Sequence, residues 1–323
     1  MRESSGNNEY LITKMNRLRN NIRRRILRCK PLARFISHHC LKTYLAMYYE
    51  NWLGKRMYFR HPEDLNQALI KQSWLNSRNP EMRELIPICV DKYAVRNYIT
   101  AKGYGDTLNE LIGVYDSVED VDFDALPNQF VMKMNNASGR NWICLDKSKA
   151  DWASIKPKFA EWLKDKDFGW QTGEWQYALI KPRIIVEKYL KDLGADSLID
   201  YKAQVFYGKV LDFFVCYNRD NEISRSGQYR PVCYDCYDAE WNRTEDITPS
   251  WHPERQMVQP PKQLKRMIQM AEDCSKDFPY VRFDMYEIDG KIVFGEMTFT
   301  PHGNVMNYYT DEYLKKTKDL LHV

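Results

Sequence analysis

The stretch VRFDMYEIDGKIVFGEMTFTP (residues 281–301) carries two runs of alternating polar and apolar residues on either side of Asp289-Gly290. Alternation with period two marks half-buried strands, and Asp-Gly between them marks a tight hairpin turn. A strict two-residue turn pairs Ile288 with Lys291 and puts Asp284 and Glu296 on opposite faces. A three-residue loop with Gly290 left-handed and a bulge changes the parity. Arg282, Asp284, Tyr286, Glu296, Thr298 and Thr300 then share one face, while Phe283, Met285, Val293, Met297 and Phe299 share the other.

In that second register one face is chemical and the other is core. Carboxylates on neighbouring strands offer hard oxygen ligands to Mg2+, and an arginine beside them can meet phosphate charge. The same residues also fit an ordinary solvated sheet face with an Arg-Asp pair. Upstream, VMKMNNASGRNW (residues 131–142) sends a lysine off a strand into a loop of small and amide-bearing residues. Lys133 can lie against phosphate oxygens while Ser138 and Gly139 let backbone N–H groups approach the same anion. A plain surface hairpin with a Ser-Gly turn has the same pattern.

Around these motifs the chain alternates strand and helix signals. Residues 91–99 read as helical, Phe130–Met134 as a strand, and Ser148 with Asp151 as a capping box opening a helix through Trp162. Arg183–Tyr189 reads as an apolar strand, and YKAQVF with VLDFFVCY as a hairpin around Gly208. Leu264, Met267, Ile268, Ala271 and Cys274 mark an amphipathic helix. Trp175, Tyr177 and Arg183 read as packing at a strand entrance or as the lining of a sugar site, since aromatic faces stack on sugars and arginine binds carboxylates.

The whole chain is 323 residues, with 44% hydrophobic and 28% charged residues, and a mean hydropathy of -0.64. It can bury the cores of several subdomains and keep a soluble surface. No run of about 18 apolar residues suggests a membrane span. Arg23, Arg24 and Arg25 interrupt the only region resembling a signal peptide, so cytoplasmic residence is expected. The eight cysteines are then expected as free thiols, including the CxxC pair Cys233 and Cys236, which has only His252 as a nearby further ligand.

From Tyr10 to Tyr49 there is no Asp or Glu, but ten Lys and Arg, so the formal charge of +4 hides a net acidic remainder. Leu11, Met15, Leu18, Ile22 and Ile26 recur at helical spacing and form an apolar stripe that Pro31 is expected to end. Such a helix suits an anionic membrane surface, a packed partner or core, or a nucleic-acid patch. The basic run is confined to the terminus and no nucleic-acid motif follows it, so nucleic acid is not the expected partner.

From about Asn66 to Pro301 the sequence resembles the TupA-like ATP-grasp family of bacterial surface-polysaccharide genes. The resemblance rests on DKYAVRNYI (91–99), PNQFVMKMNNASGRNWICLDKSKADW (127–152), EWQYALIKPRIIVEKYL (174–190), DYKAQVFYGKV (200–210) and the 281–301 stretch, in the family's order. It implies an α+β ATP-grasp fold, two lobes sandwiching ATP behind a helical N-terminal region. The expected divisions are 1–59 as a basic helical extension, 60–128 as a first subdomain, 129–190 as the small lobe and 191–323 as the large lobe. It also implies ATP and Mg2+ as cofactors. Glu187 would accept from the adenine amino group, Lys188 and Leu190 would supply backbone and apolar contacts, and Asp200 would bind ribose. Lys92, Lys133 and Lys202, with Ser138 and Gly139, match the phosphate site. Asp284, Glu296 and Thr298 match the metal site, Thr298 standing where many ATP-grasp enzymes have Asn. Arg282 and Lys133 would act on the transferred phosphate. Asn136 and Ala137 depart from an expected His-Gly, which removes a base or cation and some backbone freedom.

The activity so implied joins a carboxylate to an amine through an acyl phosphate, with a uronic acid and an amino acid as the partners. Two alternatives use the same fold: phosphotransfer to a sugar hydroxyl, with His302 or Asp311 as base, or a glycosyltransferase-like member.

Overall fold

The computed structural model describes residues 18–191, 198–218, 232–253 and 255–323. Ten strands form two antiparallel sheets among these residues. The smaller has the order β1-β4-β2-β3, with β1 Leu111–Tyr115, β2 Phe130–Met134, β3 Asn141–Cys144 and β4 Ile184–Lys188. The larger has the order β10-β9-β5-β6-β7-β8, with β5 Asp200–Phe206, β6 Lys209–Tyr217, β7 Cys233–Asp238, β8 Arg243–Thr244, β9 Tyr280–Ile288 and β10 Lys291–Thr298. Although β1 precedes residue 129, it is hydrogen-bonded to β4 within the smaller sheet.

Each sheet sorts its side chains by parity. Phe130, Met132, Met134, Ile184 and Val186 point into one core, closed by Ile155 and Phe159 of helix α6 (Trp152–Lys164). Val131, Lys133, Ile143 and Glu187 line the opposite side, where the central cleft lies. In the larger sheet Tyr201, Ala203, Val205, Phe283 and Met285 bury against helix α7 (Leu264–Ser275), whose Met267, Ala271 and Cys274 are inaccessible as the apolar spacing predicts. Asp200, Lys202, Arg282 and Asp284 face the cleft.

The decisive hairpin reaches its polar register by a different route from the expected loop. Its turn is a strict two-residue one: Ile288 pairs with Lys291, and Asp289 (φ 50°) and Gly290 (φ 74°) are both left-handed. Such backbone twist matches the flanking strands. Parity changes farther along, at Gly295, because Met285 pairs with Phe294 while the next pair is Asp284 with Glu296. The bulge lies after Phe294, so Ile292 and Phe294 occupy the core and Val293 sits opposite Tyr286. The expected core position of Val293 is thereby corrected.

Other local expectations differ by small steps. Helix α4 (Pro80–Val90) and helix α5 (Val95–Ala101) flank Asp91, which makes turn contacts with Tyr93 and Ala94. Asp151, not Ser148, caps α6 by accepting from the Ser154 amide. Cys233 and Cys236, three apart on a strand, point into different cores, so they cannot share a metal ion. All eight cysteines are free thiols.

The N-terminal helices cover residues 18–28, α1 (Lys30–His39) and α2 (Leu41–Leu53). The helix bearing the stripe stops at Arg28, ahead of Pro31 as expected, and Pro31 then lies in the first turn of α1, where its missing N–H has no partner to lose. Leu18 and Ile22 are 60% and 50% exposed, whereas Arg23 is buried against Glu50. The face packed inward is therefore the Arg23 face, and the apolar stripe looks outward. Leu11 and Met15 of that stripe lie outside the described residues. Helix α2 docks on the 167–173 segment, where the Tyr44 hydroxyl donates to the Gln171 carbonyl. Helix α3 (Leu65–Asn76), capped by Asp64, packs with helix α8 (Asp311–Thr317) on the cleft-bearing face of the larger sheet, opposite α7. No helix among the described residues is long and apolar enough to cross a membrane.

Candidate active site

A cavity of about 750 Å³ separates the two sheets and draws its lining from both. Its walls include Glu187, Asp200, Asp284 and Glu296, set against Lys92, Arg96, Lys133, Lys202 and Arg282. Nine titratable groups from five separate segments converge there because strand parity turns every one of the strand-borne members toward the same gap.

The β9–β10 hairpin supplies the centre. Arg282 donates from Nε to Asp284 Oδ1 at 2.7 Å and from Nη2 to Asp284 Oδ2 at 2.7 Å, a bidentate pair. The same Nη2 reaches Glu296 Oε1 at 3.3 Å and Thr298 Oγ1 at 3.2 Å, and the Thr298 hydroxyl donates to Glu296 Oε1 at 3.1 Å. Lys202 donates to Asp284 Oδ2 at 2.5 Å and stands 3.6 Å from Asp200 Oδ2. Thr300, expected on this face, is buried past the end of the strand: it accepts from Gln176 and donates to Glu174.

Lys92 and Lys133 approach from the other side. Lys92 donates to the Ala137 carbonyl at 2.8 Å and lies 3.7 Å from Glu296 Oε2, bridging the 135–139 loop to the hairpin. Lys133 forms a 2.6 Å pair with Glu187, which also accepts from Arg96 at 3.2 Å. Arg96 was missed in the sequence reading although it stands in DKYAVRNYI. Its signal was its place on a helix one turn after Lys92, which aims both at the same gap. Ser138 and Gly139 (φ 71°) line the cleft mouth, and Asn135 ties the loop to the Arg183 amide and the Lys181 carbonyl. Asn136 is fully buried with neither amide atom hydrogen-bonded, an unusual cost for a buried polar group.

Leu190 and Lys188 line the far end with Tyr189. The Lys188 backbone N–H donates to the Glu110 carbonyl and its carbonyl accepts from Asn109, so both groups already have protein partners. At the opposite end Tyr234, Trp251, His302 and Tyr308 close the cavity. Asp311 is not among the lining residues: it lies exposed at the start of α8 and pairs with Lys55.

The electrostatics follow from this crowding. Burial alone would raise the Glu296 carboxyl, but Lys92, Arg282 and Lys202 outweigh it and hold Glu296 at about 2. Burial and the neighbouring Lys133 lower the Lys92 ammonium against the opposing pull of Glu296. Burial also disfavours charge on Arg282, yet Asp284 and Glu296 hold the guanidinium protonated well beyond its ordinary range. His302 is lowered by burial and by Arg282, which favours the neutral imidazole.

Among the described residues no cluster of three or more His, Cys, Asp or Glu could cage a metal ion. The paired carboxylates of Asp284 and Glu296 fit Mg2+ in another way, since that ion usually takes one or two carboxylates and completes its shell with substrate phosphates and water. Their oxygens now face Arg282, Lys202 and Lys92, cations that an incoming polyphosphate can draw away.

No curated protein matches the chain significantly. Among solved structures it is similar to the D-alanine–D-alanine ligase of Bacillus anthracis, with 19% identity, a TM-score of 0.45, and coverage of 72% of this chain and 62% of that one. It is also similar to the L-amino acid ligase of Bacillus licheniformis, with 11% identity, a TM-score of 0.49, and coverage of 88% and 62%. The chain thus spans less than two thirds of the length of either. Residues 69–321 match the family described as TupA-like ATPgrasp, over most of the sequence and through both sheets, and the chain belongs to the TupA-like ATP-grasp family.

Proposed function

We propose that this chain is an ATP-dependent carboxylate-amine ligase. The observation carrying this reading is the convergence of Arg282, Asp284, Glu296 and Thr298 with Lys92, Lys133 and Lys202 in one cleft between two sheets. Transfer of a phosphoryl group to a carboxylate brings anions together, and positioned cations offset that repulsion. Lys92, Lys133 and Lys202 would leave their present carboxylates for the ATP phosphates, while Arg282 would face the transferred group. Asp284 and Glu296, with the Thr298 hydroxyl, would hold Mg2+, whose charge neutralises the phosphates when bound. Ser138 and Gly139 would close over the phosphates, Asp200 would meet the ribose, and Leu190 with Glu187 and Lys188 would border the adenine. The carboxylate would become an acyl phosphate, and an amine would displace phosphate to give an amide. Closure of the smaller sheet, with β1 added to 129–190, over the larger lobe of 191–323 would keep water from the intermediate.

The acceptor we propose is a uronic acid of a surface polysaccharide or its precursor, and the amine an amino acid. This rests on the family's character and on fold-level analogy. The direct test incubates the protein with Mg-ATP, uronic acids and amino acids, and follows ADP, phosphate and product mass, with Asp284→Asn as control. An amide made with ADP and phosphate supports the ligase. A phosphorylated sugar would replace it by the phosphotransferase reading, for which His302 in the cleft lining is the candidate base. Failure to bind Mg-ATP would sink both.

We further propose a cytoplasmic enzyme that rests on an anionic membrane surface. Leu18, Ile22, Leu32 and Phe35 are 43–60% exposed, beside the exposed Arg24, Arg25, Arg28 and Lys30. Apolar side chains flanked by cations suit an anionic bilayer face.

A further inference from the structure

We propose that a second cavity, between the N-terminal helices and the 167–179 segment, binds an acidic saccharide beside the nucleotide cleft. It encloses about 570 Å³, within the span of cavities that hold small molecules. Trp74, Trp170 and Trp175 form walls, and Lys42, Arg78 and Arg83 stand at the rim.

The cations are held by aromatic faces and not by carboxylates. Lys42 Nζ lies 4.5 Å from the centre of the Trp74 ring, the Arg78 guanidinium lies 5.8 Å from it, and the Arg83 guanidinium lies 5.9 Å from the Trp175 ring. Cation–π contact fixes a charge without neutralising it. Arg83 spends one N–H on the Ser77 carbonyl, and none of the three cations makes an ion pair among the described residues. The acids of the cavity are already committed. Asp167 accepts from Arg34 and sits 2.9 Å from His38, while Glu174 accepts from Thr172 and Thr300. Hydroxyl donors leave the Glu174 charge in place, and three cations without ion pairs against that one carboxylate leave the lining net positive.

A ligand for this lining needs anionic groups for the cations and a body whose polarised C–H edges can lie on Trp170, the indole wall that holds no cation among the described residues. Sugar acids have both, since their carboxylate takes the bidentate geometry that guanidinium offers and their ring hydrogens meet the negative face of the aromatic ring. An anionic bilayer needs a flat apolar contact, whereas this lining is recessed between a helix pair and a loop. Glu174 places the cavity next to the chemistry: its partner Thr300 is two residues beyond Thr298, and its carboxylate lies within electrostatic reach of Glu296 and Arg282. A saccharide chain seated here lies against the back of the catalytic hairpin's end. The inference extends the ligase reading, and rests on it only for the acceptor being a glycan.

The test uses the full-length protein without ATP and follows tryptophan fluorescence and calorimetry. The probes are oligogalacturonides, sulfated and phosphate-bearing oligosaccharides, and a neutral maltooligosaccharide of matched length. The expected result is binding of at least one acidic probe and none of the neutral one, weakened tenfold or more by Lys42→Gln/Arg83→Gln and unchanged by Asp284→Asn. Melting curves of the double variant establish that it is folded, which the exposure of both residues favours. No binding of any acidic probe at millimolar concentration, equal binding by parent and double variant, or loss of binding in Asp284→Asn would each overturn the proposal. So would tighter binding of single-stranded DNA or of phosphatidylglycerol vesicles through the same residues. Because no nucleotide is present, failure of the ligase activity leaves this result intact, and the reverse holds.

Discussion

Asp284 and Glu296 stand directly opposite each other on β9 and β10, five residue pairs from a two-residue turn whose own register would pair Asp284 with Gly295. One extra residue at Gly295 brings the two carboxylates to the same face, where Arg282 spans them.

Gly295 is therefore expected to resist even a methyl group. A Cβ there would stand 2.9 Å from the Asp284 carbonyl oxygen and 3.2 Å from its carbon, both backbone atoms that cannot swing away. Gly295→Ala should cost about 1–3 kcal/mol and displace Asp284. Calorimetric titration with Mg-ATP should show weaker binding alongside the lowered melting temperature; unchanged nucleotide affinity would dissociate the bulge from the site.

Arg282 should not be replaceable by lysine. A single ammonium cannot reproduce the bidentate contact with Asp284 while reaching Glu296 and Thr298. Arg282→Lys and Asp284→Asn should each lower ADP formation by about 10²–10³-fold, the range for loss of one preorganised charge-stabilising group. Circular dichroism like that of the parent would locate the loss in the site.

Asp212 gives the clearest pH effect on stability. It is buried on β6 with Oδ2 accepting from the Tyr313 hydroxyl at 2.6 Å, and burial pushes its carboxyl up to about 7. A carboxyl raised in the folded state favours the fold while it stays protonated, so its contribution is fullest below its unfolded value near 3.8 and is lost as pH rises through about 7. Asp212→Asn keeps an acceptor for Tyr313 and should flatten the fall in melting temperature between pH 4 and pH 7. An unaltered slope would show that Asp212 does not govern it.

Glu50 should anchor the first N-terminal helix. It is 6% exposed and pairs with Arg19 at 2.6 Å and with the buried Arg23 at 2.8 Å. Removing one partner of a buried pair costs about 3–5 kcal/mol locally, so Glu50→Ala should open residues 18–28 to protease while the remaining chain stays protected. Cleavage rates equal to those of the parent would argue that packing, not charge, holds this helix.

The outward apolar stripe should carry the protein to anionic vesicles. Cosedimentation with phosphatidylglycerol vesicles is expected to fall with rising salt and to be lost in Arg24→Glu/Arg25→Glu/Arg28→Glu, at about 1 kcal/mol per cation. Phe35→Ser, which removes the apolar ring without adding charge, should weaken it without changing its salt dependence. Binding to neutral vesicles of equal strength would refute the electrostatic part.

Strand periodicity, the Asp-Gly turn and the ordered motifs sufficed to read the family, the ATP-grasp fold and the polar identity of the hairpin face, because those depend on local alternation and on residue type. The stripe on the first helix was equally legible as a stripe. Which way it looked was not: the ion pairs of Arg19 and Arg23 with Glu50 turn that face inward and leave Leu18 and Ile22 outside, beside the exposed Arg24, Arg25 and Arg28. Likewise sequence alone admitted two registers for residues 281–301, and only the close approach of Gly295 to the Asp284 carbonyl located the parity change, which put Phe294 in the core and Val293 outside it. The second cavity and the partnerless amide of Asn136 needed the assembled fold, since they arise where segments far apart in the chain meet. Periodicity specifies what a segment can bury; what meets it there is decided by tertiary packing.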